Sequence, residues 1–104
     1  MNRITEIELA GRKYPLNFST KAVKDFSARY GGLENITSAF SDRKADEALE
    51  ELIWMLSVLI AQGVAYKRLV DGEDVQAITA DELEVVLGLD DLNGLKDKLM
   101  EAIT

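Results

Sequence analysis

Ten consecutive residues, Leu52-Ile53-Trp54-Met55-Leu56-Ser57-Val58-Leu59-Ile60-Ala61, are apolar at every position except Ser57. No other stretch limits the possible folds so strongly. The run contains no Gly, Pro or turn residue, and its apolar pattern continues through Val64, Ala65, Tyr66, Leu69 and Val70. That length and composition predict a helix rather than a strand. A bilayer-spanning helix needs about 20 predominantly apolar residues. This run is shorter and is bounded by Glu47, Glu50 and Glu51 before it and Lys67 and Arg68 after it, so a core helix with no membrane partner is expected. A helix apolar on every side must be covered on every side. The remaining segments should therefore wrap around it and bury Trp54 between a hairpin and flanking helices.

The segment before the run supplies such a cover. Residues Ile4 to Phe18 alternate as a β-hairpin does. With Gly11-Arg12 as a two-residue type II′ turn, Leu9 faces Tyr14, Ile7 faces Leu16 and Thr5 faces Phe18. All six side chains then share one face, with Glu6, Glu8, Lys13 and Asn17 on the other. Pro15 falls opposite Glu8 in this register and cannot donate a ladder hydrogen bond. Ser19 or Thr20 then caps a helix carrying Ala22, Val23, Phe26 and Tyr30 inward, and Gly31-Gly32 ends it. A short helix follows from Leu33 to Phe40, with Leu33, Ile36, Ala39 and Phe40 inward. Ser41, Asp42 or Asp46 caps the central helix. Gly63 inside that helix either permits a close helix crossing or marks a kink.

Beyond the central helix, Asp71-Gly72-Glu73-Asp74 reads as a solvated turn. Thr79-Ala80-Asp81-Glu82 has the spacing of a capping box and opens a helix with Leu83, Val86 and Leu87, ended by Gly88. A last helix from about Asp91 to Ile103 carries Leu92, Leu95, Leu99 and Ile103 on one stripe. Two readings of that stripe stand side by side: it closes the domain's own core, or it offers helical anchors to a partner's groove. The expected architecture is α+β, mostly α: an N-terminal β-hairpin packed on a helical bundle around one long central apolar helix. One domain over 1–104 suffices, with the hairpin in 1–18 and the helical part in 19–104.

Composition narrows the chemistry. The net charge of −7, from 19 acidic and 12 basic residues, disfavours nucleic acid as a partner, because affinity for a phosphate backbone comes mainly from Lys and Arg. The chain has neither histidine nor cysteine, which removes the usual neutral-pH base, the thiol nucleophile and the common zinc and haem ligands. The Asp71–Asp74 loop lacks the alternating oxygen ligands and terminal carboxylate of a calcium loop. No phosphate-binding glycine motif is present. Leu87-Gly88-Leu89-Asp90-Asp91-Leu92 looks slightly like the Asp-Ser-Leu attachment site of acyl carrier proteins, but Asp91 stands where the essential serine would be. No enzyme, cofactor or metal is expected. Asn2 to Ala10 alternates rather than forming an apolar run, so no signal peptide is expected, and a cytoplasmic location is the default.

One resemblance runs through the first two thirds of the chain. Ile7-Glu8-Leu9-Ala10-Gly11-Arg12-Lys13-Tyr14-Pro15-Leu16-Asn17-Phe18 resembles the opening of small tail assembly chaperones from long-tailed bacteriophages and prophages. Lys21-Ala22-Val23-Lys24-Asp25-Phe26, then Tyr30-Gly31-Gly32-Leu33-Glu34 and the helix containing Trp54, are similar as well. The resemblance implies a protein of the bacterial host cytoplasm, absent from the mature virion. Such a protein holds the long, aggregation-prone tape measure protein until tail tube subunits replace it. Homo-oligomers are compatible with that role, and an acidic surface keeps unengaged copies apart. Two other classes fit the same residues: a small structural adaptor or head–tail component retained in the particle, and a bacterial protein-interaction domain unrelated to phage.

Overall fold

The computed structural model describes residues 4–103. Strands β1 (Thr5–Leu9) and β2 (Arg12–Leu16) form an antiparallel hairpin. Helix α1 (Thr20–Tyr30) follows, then a 3₁₀ turn (Leu33–Asn35), the single-turn α2 (Ser38–Ser41) and the central helix α3 (Ala45–Tyr66). A π turn (Lys67–Asp71) ends α3; α4 (Ala80–Val86), a second 3₁₀ turn (Leu89–Asp91) and α5 (Leu92–Ile103) complete the chain. The hairpin, α1, α2, α4 and α5 all pack on α3. This is the expected α+β, mostly α architecture. The stretch Ala45–Asp71 is long and apolar enough to cross a membrane by length and composition. Here its buried positions Leu52, Met55, Leu56, Leu59 and Ile60 lie at the centre of the core.

The hairpin keeps the expected faces but takes a different register. Ile7 pairs with Tyr14, Thr5 with Leu16 and Glu6 with Pro15, and the turn is Ala10-Gly11 with φ of +52° and +78°. Two positive φ values mark a type I′ turn, whose twist suits the strands. Each residue's partner has moved by two positions, which leaves the alternation intact: Ile7, Leu9, Tyr14 and Leu16 are all buried. Pro15 explains the choice. Counting from the turn, Leu9–Arg12 is a hydrogen-bonded pair and Glu6–Pro15 is a non-bonded one, so the missing N–H breaks no ladder bond. Opposite Glu8, it would have broken one.

The outer edge of β2 lies against α3, and Gly63 makes that approach possible. A side-chain carbon on Gly63 would overlap the Pro15 carbonyl group. Two positions further along the chain, the Asn17 N–H donates to the Leu59 carbonyl at 3.1 Å. Gly63 therefore permits a close crossing, but by a strand rather than by the helix expected from the sequence. The same contact buries Asn17, which simple alternation placed on the solvent face.

Local signals at helix ends hold closely. The Ser19 hydroxyl accepts from Ala22 N–H at 3.1 Å, and Gly31 ends α1 at φ +77°. Thr79 and Glu82 form the reciprocal capping box, with Glu82 N–H on the Thr79 hydroxyl at 3.2 Å and Thr79 N–H on the Glu82 carboxylate at 2.9 Å. At α3 the N-cap is Lys44 rather than Ser41, Asp42 or Asp46; the Glu47 carboxylate accepts from its N–H at 3.4 Å.

Coverage of α3 is where the structure departs most from expectation. Trp54 is half-buried at the rim rather than sealed under the hairpin. Its ring meets Phe26 and Tyr30 of α1 at centroid distances of 5.5 and 5.9 Å. Ala61 is exposed, and Leu69 and Val70 on the π turn are 76% and 60% exposed. Leu33 is exposed too, while Ile36, Ala39 and Phe40 of the same segment are buried. The surrounding elements are too short to enclose a helix of this length, so its ends and one stripe stay open.

Candidate docking surface

The stripe on α5 faces inward. Leu95 and Leu99 are 5% and 0% exposed, and Leu92 and Ile103 are half-buried against the same core. Of the two sequence readings, the burial favours the core: an anchor already packed against its own domain offers nothing to a partner. Lys96 lies beside this contact, its ammonium 5.8 Å from the Phe40 ring centroid.

A different apolar surface is open. On α3, Asp46, Leu49, Glu50 and Ile53 recur at helical spacing on one stripe, as residues three and four apart do. Facing them, Glu84 and Leu87 come from α4 and its C-cap, and Leu89 from the 3₁₀ turn. Together they line a concavity of about 340 Å³. Leu49 and Leu87, both half-buried, and Leu89, 57% exposed, form its accessible apolar wall; Ile53 lines it but is itself buried. Asp46, Glu50 and Glu84 are exposed around it, and among the described residues no Lys or Arg lines it. Leu83, one residue before Glu84, is fully buried and holds α4 to the core. The Leu87 N–H closes α4 on the Leu83 carbonyl, and the Gly88 N–H, which donates to the Asp91 carboxylate at 2.9 Å, caps the 3₁₀ turn that follows.

The densest polar cluster joins α1 to α3. The Arg29 guanidinium donates to both Glu51 oxygens at 3.1 and 3.3 Å, and the Tyr30 hydroxyl donates to one of them at 2.8 Å. Arg29 also lies 4.4 Å from the Trp54 ring centroid. Burial alone would raise the Glu51 carboxyl; the hydrogen bonds from Arg29 and Tyr30 outweigh it and hold the group below the ordinary carboxylate range. The Glu51 hydrogen bond stabilises charged Arg29 and raises its pKa, while burial, and then the bond to Glu51, push Tyr30 up. Arg29 and Tyr30 of α1 both donate to the Glu51 carboxylate of α3, so the cluster clamps α1 onto α3. Sequence reading placed Tyr30 inward on α1 and Glu51 just before the apolar run, with no role for Arg29. Nothing in either spacing reveals a pair 22 residues apart.

Among the described residues, no three acidic groups converge as a metal site would require. Compared with protein-family models, with curated proteins and with solved structures, the chain matches none.

Proposed function

We propose that this chain is a holding protein of the tail assembly chaperone kind. In that role it binds the tape measure protein of a long-tailed phage or prophage and keeps it soluble in the bacterial cytoplasm until tail tube subunits take its place. The observation that carries the reading is the open groove between α3 and α4: a small domain with a closed core leaves a concave apolar surface with an acidic border in water. Such a surface suits reversible capture of an apolar segment. The resemblance of Ile7 to Phe18, and of the segments through the Trp54 helix, supplies the identity of the client. A net charge of −7 supports a soluble carrier, because unengaged copies repel one another.

Co-expression with the tape measure protein encoded beside it tests this directly. The client should remain in the soluble fraction and co-purify with the chain, and purified virions should lack the chain. A client that stays insoluble and unbound in several buffers would end the chaperone reading. Finding the chain at a fixed ratio in virions would favour the particle-bound adaptor.

A further inference from the structure

We infer that the groove between α3 and α4 is the docking site for a basic amphipathic helix. The inference deepens the holding-protein reading and rests on it in one respect, that the occupant is a protein segment. Three observations select the occupant. The stripe from Asp46 to Ile53 spans about 10 Å of helix axis, so the groove takes about two turns of a helix laid along it. Its accessible wall is aliphatic, from Leu49, Leu87 and Leu89, with Ile53 buried behind them, which suits leucine-like anchors at i, i+3, i+4 and i+7.

Charge decides the rest. Asp46, Glu50 and Glu84 flank those anchors, with no basic side chain in the lining among the described residues, so the residues beside the occupant's anchors should be Lys or Arg. A two-fold pairing of this face with its own copy would set carboxylates against carboxylates, on a chain already at −7. A second copy is therefore disfavoured, and a partner of opposite charge is favoured.

The probes are two synthetic peptides with the same leucine pattern, one with lysine and one with glutamate at the other positions. Titration into the wild-type protein, followed by calorimetry, should show the lysine peptide binding and the glutamate peptide not. Glu50→Lys with Glu84→Lys should weaken the lysine peptide by about tenfold or more, from the loss of two attractions and the gain of two repulsions. Glu34→Lys with Glu73→Lys changes the net charge equally at exposed positions outside the groove and should leave most of the affinity. Equal weakening by the two double variants would overturn the inference, because it would mean attraction to overall charge alone. So would unchanged binding to the groove variant, or no binding of the lysine peptide to the wild type. Circular dichroism establishes that each variant is folded. The same groove variant, co-expressed with the tape measure protein, separates the two proposals. Client kept soluble by wild type and variant alike sinks the groove and leaves the chaperone; a groove that binds the lysine peptide beside a client that never becomes soluble does the reverse.

Discussion

The two sides of α3 meet the rest of the chain differently. On one side β2 comes so close that Gly63 has no room for a methyl, and Asn17 bonds directly to the Leu59 carbonyl. On the other, α4 is held by the buried Leu83, but past it the half-buried Leu49 and Leu87 and the exposed Leu89 border open space. Both sides are rich in aliphatic side chains, so hydrophobicity does not separate them. What differs is how closely the second element approaches. Backbone from Pro15 to Asn17 meets α3 directly at Leu59 and Gly63, whereas α4 is only seven residues long and approaches through side chains such as Leu83. The apolar surface available to a partner is thus what a short element fails to cover.

The sharpest test makes one substitution in both settings. Leu99→Ser, at a site with no exposure, should cost about 3–5 kcal/mol, from the lost packing and a hydroxyl without a partner. That is a large share of the roughly 5–15 kcal/mol available to such domains. Leu89→Ser should change stability by no more than about 0.5 kcal/mol. Urea denaturation measures both, and equal losses would mean that the groove is as closed as the core.

Gly63→Ala probes the tight side. Helix propensity alone favours alanine by about 1 kcal/mol, but the new methyl meets backbone atoms of Pro15, which cannot rotate away. The expected net result is a loss of about 2 kcal/mol, read as a lowered thermal midpoint. A gain would show that β2 can move off α3 at little cost.

The smallest effect concerns the clamp. Glu51→Gln should destabilise the domain by about 1 kcal/mol near neutral pH, since Arg29 is partly exposed and its ion pair is screened by water. Because folding lowers the Glu51 pKa from its ordinary value of 4.5, this contribution is complete above that value and disappears as pH falls through the folded one. Wild type and variant should therefore converge in stability in acid. Curves that stay parallel down to low pH would remove Glu51 from the pH response.

Much of the fold was legible because the signals were local. Ser19, Gly31 and the Thr79–Glu82 box each act within four residues, where side chain and backbone meet whatever the rest of the chain does. The candidate site was less legible. The α5 stripe and the groove wall carry similar leucines, and nothing in the spacing of Leu95 and Leu99 says that they, rather than Leu49 and Leu89, would be covered.

The sequence alone determined which segments are helix or strand and which hairpin side chains share a face, because 3.6- and 2-residue periods are properties of the backbone. Alternation by itself does not select between hairpin registers two residues apart; Pro15 does, because only one of them spares a ladder bond, and the positive φ values at Ala10 and Gly11 and the pairing of Pro15 with Glu6 record that choice. Only the tertiary structure decided that Gly63 receives a strand, that Arg29 meets Glu51, and that α5 is covered while the groove beside α4 stays open. Each of these depends on how far one element reaches along another, a distance that no local pattern encodes.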